Sequence, residues 1–115
     1  MSPGDRIVLT LFGKGSDYSQ HAWRPFKKGI EMVKLYEAPD GASAALLRYE
    51  PGARVETHRH PGYEHIIVLE GSQSDNHAEY PAGTCLVNAP GTEHAVTSAN
   101  GCIVLAIWQK PVEFR

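Results

Sequence analysis

The sequence predicts an all-β chain, an antiparallel double-sheet jelly-roll sandwich or barrel. Short β-rich runs recur at intervals of roughly 8–12 residues, with Gly, Pro, Asn and Asp gathered between them. No ten-residue stretch keeps a helical period, and no repeat is evident within the 115 residues. A chain of that length builds one core. Residues 1–115 therefore read as a single domain, with 1–28 an N-terminal arm and cover and 29–110 the jelly-roll core.

The arm opens with Asp5 to Phe12, a β-rich run suited to an edge or arm strand. A polar, turn-rich loop follows from Gly13 to Ser19. His21, Trp23, Pro25 and Phe26 show no helical period, and Trp23 and Phe26 are expected to cover one end of the core. Ile30 to Glu37 is a strand, stopped by Ala38-Pro-Asp-Gly41. Ser43 to Glu50 is the next, closed by Pro51-Gly52. Its faces divide into Ala44, Leu46, Arg48 and Ala45, Leu47, Tyr49.

Arg54 to His60 and His65 to Leu69 continue the set, and Ser72 to Tyr80 can pair around Asp75-Asn76. Thr84 to Asn88, His94 to Thr97 and Cys102 to Gln109 complete it. The last run is apolar on both faces, as in a strand covered on both sides, one of them by the core and the other by a partner subunit.

Composition narrows the partners. Eleven Lys and Arg against 13 Asp and Glu give a net charge of -2, no electrostatic reason to expect nucleic acid or an anionic membrane surface. The longest apolar run, Cys102 to Trp108, is far short of the ~20 residues of a membrane span. Ile7 to Leu9 is too short for a signal-peptide core. Cys85 and Cys102 each sit in an apolar run and are expected to be reduced and buried, which sets a cytoplasmic address as the default.

The stretch from Gly52 to Gly71 carries the chemistry. His58 and His60 stand at i and i+2, so in a strand both imidazoles project to one face. Pro61-Gly62 turns the chain and lets Glu64 return toward that space, and His94 waits downstream after Pro90-Gly91. Three imidazoles and one carboxylate form an N/O donor set for a divalent first-row ion: iron, zinc, nickel or manganese. They fill four positions of an octahedral ion and leave two for water, oxygen or substrate, whereas structural zinc sites are closed and tetrahedral. If the strand is unbroken, Glu56 shares the face of His58; Glu56, Arg48 and Tyr49 are the catalytic candidates from strand phase. His65 is expected on the opposite face from Glu64, and His21 and His77 have no partner ligand.

Gly52, His58, His60, Glu64 and Gly71 fit Gly-x5-His-x-His-x3-Glu-x6-Gly, and the chain resembles the cupin superfamily (RmlC-like jelly rolls) at every spacing of this first motif. Gly83, Gly91 and His94 are similar to the second cupin motif, with Ala89 in place of its proline, Pro90 one position later, and Ser98 in place of its asparagine. Pro51-Gly52, Leu69 to Asp75, Tyr80 to Thr84 and Gly101-Cys102 also resemble the cupin-like domain of ChrR-type anti-sigma factors.

The resemblance implies three functions, in this order. A metal-dependent, dioxygenase-like enzyme would act on a small organic molecule. A ChrR-like module would hold zinc as a sensor without catalysis. That kind of regulator needs a separate helical sigma-binding domain, and no helix-rich segment precedes residue 29. A metal-stabilised structural dimer comes third. A homodimer is expected in each case, since unpaired sheet edges are commonly covered by a second copy and the arm is free to reach one.

Overall fold

The structure, a computed structural model, describes residues 4–114. Its strands are β1 (Arg24–Lys27), β2 (Ile30–Glu37), β3 (Ser43–Tyr49), β4 (Ala53–Arg59), β5 (Glu64–Ser74), β6 (Glu79–Pro81), β7 (Cys85–Asn88), β8 (Glu93–Ser98), β9 (Cys102–Trp108) and β10 (Glu113–Phe114). All pairings are antiparallel, in the order β1-β2-β3-β9-β5-β8-β4-β10, with β6 and β7 added to β5. The sheet curls on itself as the jelly-roll prediction requires, and the described residues contain no α-helix.

The curl turns on β5. Its first half pairs with β7 and β9, and its last residues pair with β6 and β8. A register shift between Val68 and Glu70 marks the bend. Gly71 follows it at φ 71°, and a Cβ there would overlap the Gly101 carbonyl oxygen. Only glycine allows both that backbone conformation and that approach.

The inside of the curl is apolar. Ala45, Leu47 and Tyr49 of β3 pack with Ile66, Val68, Val96 and Val104, which settles the phase of β3. Leu46 and Ile103 point to the other side, into a second cluster with Tyr18 and Leu69, flanked by Leu9, Leu11 and Trp23. The outer face of β9 is therefore covered by this chain's own arm. Burying Leu46 fully in this way contributes roughly 1.5–3 kcal/mol.

The structure departs from several sequence expectations. Asp5 to Phe12 forms no strand; Leu9 and Leu11 lie on the sheet face while Val8 and Phe12 are exposed. A single 3-10 turn, Tyr18–Gln20, ends the arm, and the Tyr18 hydroxyl donates to the Leu11 carbonyl. Trp23 covers the outer cluster as expected, but Phe26 is 43% exposed. Cys102 is buried and Cys85 is not. Cys85 alternates with Leu86 in the short strand β7, and Leu86 takes the inward face.

Candidate metal centre

His58 lies on β4, His60 just beyond its end, Glu64 at the first residue of β5, and His94 on β8 opposite His58. All four side chains are buried. Their ligand atoms fall within 4.8 Å of one another. His58 Nε2 is 3.0 Å from His94 Nε2, His60 Nε2 is 3.1 Å from Glu64 Oε1, and His94 Nε2 is 3.7 Å from the same oxygen.

The outer ring nitrogens set the tautomers. His58 Nδ1 lies 3.0 Å from the Glu56 carbonyl oxygen, which can only accept. His60 Nδ1 lies 3.0 Å from Thr92 Oγ1, whose proton is donated to the Ala89 carbonyl. His94 Nδ1 faces Asp75 Oδ2 at 3.5 Å, and Tyr80 donates to the same carboxylate. Each Nδ1 therefore carries its proton outward, and three Nε2 lone pairs converge beside a carboxylate. His60 Nε2 is buried with no hydrogen bond, since with its proton on Nδ1 it faces the Glu64 oxygen as one acceptor to another. Buried acceptors around an orphaned nitrogen suit a cation, and the donor set fits a divalent ion of the first transition row.

Glu64 is aimed by two donors, Asn88 Nδ2 at 3.0 Å to Oε1 and Trp108 Nε1 at 2.8 Å to Oε2. Burial works to raise its pKa, but polar interactions with His60, the Trp108 donor and His94 outweigh it and hold the carboxyl below its ordinary value. His94 is shifted down, chiefly because burial disfavours its charged form. Both shifts favour the protonation states that bind a metal.

The ligands form one wall of a cavity of about 50 Å³. His58, Glu64 and His94 face it across Leu47, Ile66 and Val96. Tyr49 and Gln73 supply further polar groups to its lining. Burial pushes the Tyr49 phenol far above its ordinary pKa, so it is a hydrogen-bonding group and not a base at neutral pH.

Of the three catalytic candidates, only Tyr49 reaches the cavity. Glu56 does not, because the register of β4 against β8 shifts between Val55 and His58. Val55 and His58 both point inward, while Glu56 and Thr57 face out. The Glu56 carboxylate instead meets Lys27 Nζ at 3.2 Å. Arg48 lies on the outer face, 2.7 Å from Glu31 and 4.3 Å from the Trp23 ring. His65 faces away from the site beside Tyr36 and Ile107, and His77 is exposed.

The supporting groups Asp75, Asn88, Thr92 and Trp108 carry no spacing signal, since each meets its ligand only through tertiary pairing. Ser98, where the second motif has asparagine, is fully buried and donates to the Ser72 carbonyl, tying β8 to β5.

Comparison with known proteins bears on this centre. The family model for the ChrR cupin-like domain matches residues 14–112. The anti-sigma-E factor ChrR of Cereibacter sphaeroides is 32% identical over 97 residues, covering 81% of this chain and 44% of its own length. The structure of Rhodobacter sphaeroides SigE in complex with the anti-sigma ChrR superposes with a TM-score of 0.73 at 28% identity, covering 83% of this chain and 53% of that one. The chain thus spans about half the length of these relatives. An acetylacetone dioxygenase from Acinetobacter johnsonii shares the fold, with a TM-score of 0.76 at 16% identity over 99% of this chain and 83% of that one.

Proposed function

This chain belongs to the ChrR cupin-like domain family, and from that premise we propose that it is a metal-dependent oxygenase of a small organic molecule, its ion held by His58, His60, Glu64 and His94. The observation that carries this reading is that three of the four ligands border an apolar cavity. Coordination positions left by the four side chains would open into that space, as a reactive site requires and a structural one does not. An iron ion there would supply binding and activation of dioxygen beside a substrate oxygen.

The residues around it have defined tasks. Asn88 and Trp108 hold the Glu64 carboxylate in place, and Glu56, Thr92 and Asp75 keep the three Nε2 lone pairs inward through the Nδ1 atoms. Leu47, Val55, Ile66 and Val96 exclude water and favour an apolar substrate body. Tyr49 and Gln73 orient a substrate oxygen by hydrogen bonding.

The kinship with an anti-sigma factor favours a second reading, a zinc-holding regulatory module. No helix among the described residues is long and apolar enough to cross a membrane. In either reading the working unit is a cytoplasmic homodimer, and light scattering at micromolar concentration should give twice 12.6 kDa.

Elemental analysis of natively purified protein, followed by oxygen uptake on iron-reconstituted protein across small diketones, phenols and thiols, separates the two readings. Substrate-dependent uptake lost in His60→Ala is the expected result. Stoichiometric zinc with no uptake on any compound would favour the regulatory module.

A further inference from the structure

We propose that Phe114 and Lys27 gate the metal cavity, so that the strap carrying Phe114 controls which molecules reach the four ligands. The inference rests on the metal reading above. β1 and β10 lie at opposite ends of the strand order, yet each brings one phenylalanine to the cavity. Phe26 of β1 and Phe114 of β10 both line the cavity, yet they are 43% and 45% exposed. They therefore stand at its entrance.

Lys27 joins the two ends. Its Nζ sits 4.0 Å from the Phe114 ring centroid and 3.2 Å from Glu56 Oε1 on β4. The Phe114 ring is 5.8 Å from the ring of His58, and its backbone pairs with His58 itself. The Glu56 carboxylate, turned out of the cavity by the irregularity in β4, becomes an anchor for the gate.

The gate is built to move. Among the described residues β10 is Glu113–Phe114, paired with β4 at Arg59 and His58. Its flanking ion pair, Arg59 to Glu113 at 3.1 Å, is exposed and contributes little. The strap can lift without disturbing either apolar cluster, as low-stability segments over sites do. A cavity of about 50 Å³ holds only a few atoms with the strap in this position. Molecules that pass meet two aromatic faces and one ammonium group, a mouth suited to slim, flat and partly apolar compounds.

The test uses the zinc-loaded full chain and the second-order rate of zinc removal by EDTA. Phe114→Ala should raise that rate by about tenfold or more, and Lys27→Ala by less, while equilibrium zinc affinity changes by no more than about threefold. Phe114→Trp should slow removal. Wild-type rates in all three variants, or affinity falling in step with rate, would overturn the gate. A metal-free arm uses Trp23→Phe protein, which leaves Trp108 as the tryptophan in the cavity wall. Acrylamide should quench Trp108 more steeply once Phe114→Ala is added, and an unchanged slope overturns the proposal. Failure of zinc to load would refute the metal reading, and quenching then decides the gate by itself.

Discussion

His58 and His94 face each other through their Nε2 atoms, 3.0 Å apart, from paired positions on β4 and β8. With each Nδ1 committed to an acceptor on its outer side, neither neutral ring has a proton to give the other. A shared cation resolves this contact, and His60 and Glu64 complete its shell. One divalent ion per chain is expected by elemental analysis. His60→Ala should weaken zinc by more than the about 10–100-fold that loss of a supporting partner produces, and His77→Ala should leave it unchanged. Equal losses in both variants would mean that the cluster is not the site.

The supporting residues give a graded prediction. Trp108→Phe removes the donor to Glu64 Oε2 while keeping an aromatic ring in the cavity wall. Asp75→Ala removes the acceptor opposite His94 Nδ1. Each should weaken zinc about 10–100-fold. Zinc titration followed by tryptophan fluorescence should also lose most of its signal in Trp108→Phe, because Trp108 touches a ligand and Trp23 does not.

Gly71 and Gly83 separate crowding from backbone strain. Both have positive φ, but a Cβ at Gly83 meets nothing within 4 Å, whereas one at Gly71 strikes the Gly101 backbone. Gly83→Ala should cost about 1–2 kcal/mol in urea unfolding. Gly71→Ala should cost several-fold more or prevent folding, since the backbone of β9 would have to move.

Much of this was legible in the sequence. Strand positions followed from turn residues and alternation, and β2 matches its predicted bounds, Ile30–Glu37, at both ends. The four candidate ligands stood at recognisable spacings, and the structure brings them together. What escaped has physical causes. A bulge shifts side-chain phase without a compositional mark, so alternation along an unbroken strand puts Glu56 on the His58 face while the structure turns it out. The arm satisfies its apolar residues against a sheet face and not by pairing, so its β-rich composition misled. β1 and β10 are too short to show a period, and they include the residues that frame the cavity mouth. Cys85 shows that an apolar run fixes neither which face a residue takes nor whether that face is covered.

Acid should undo the metal and the fold in separable steps. Ligating imidazoles must be neutral, and free histidines titrate near ~6.5, so as many as three protons compete with the ion as pH falls from about 7 to 5. Ion-linked stability should then drop with a slope of up to three protons, each worth about 1.4 kcal/mol per pH unit. Apo-protein should respond less steeply in that window. Its folded His94 has a pKa lowered by burial, so below the unfolded value of 6.5 the unfolded chain binds more protons than the folded one. His94 alone therefore adds at most one proton's slope, and its effect stops growing below the folded pKa. Glu64 acts lower down. Its depressed pKa contributes stability above 4.5 that is lost as pH falls through the folded value. Thermal melts of holo- and apo-protein between pH 7 and 5 check the difference, and parallel losses would mean that no ion is held in solution. In Glu64→Gln the ion should bind more weakly while the steep histidine-driven slope near pH 6 persists. A slope that vanished with the carboxylate would shift the competition from the three imidazoles to Glu64 alone.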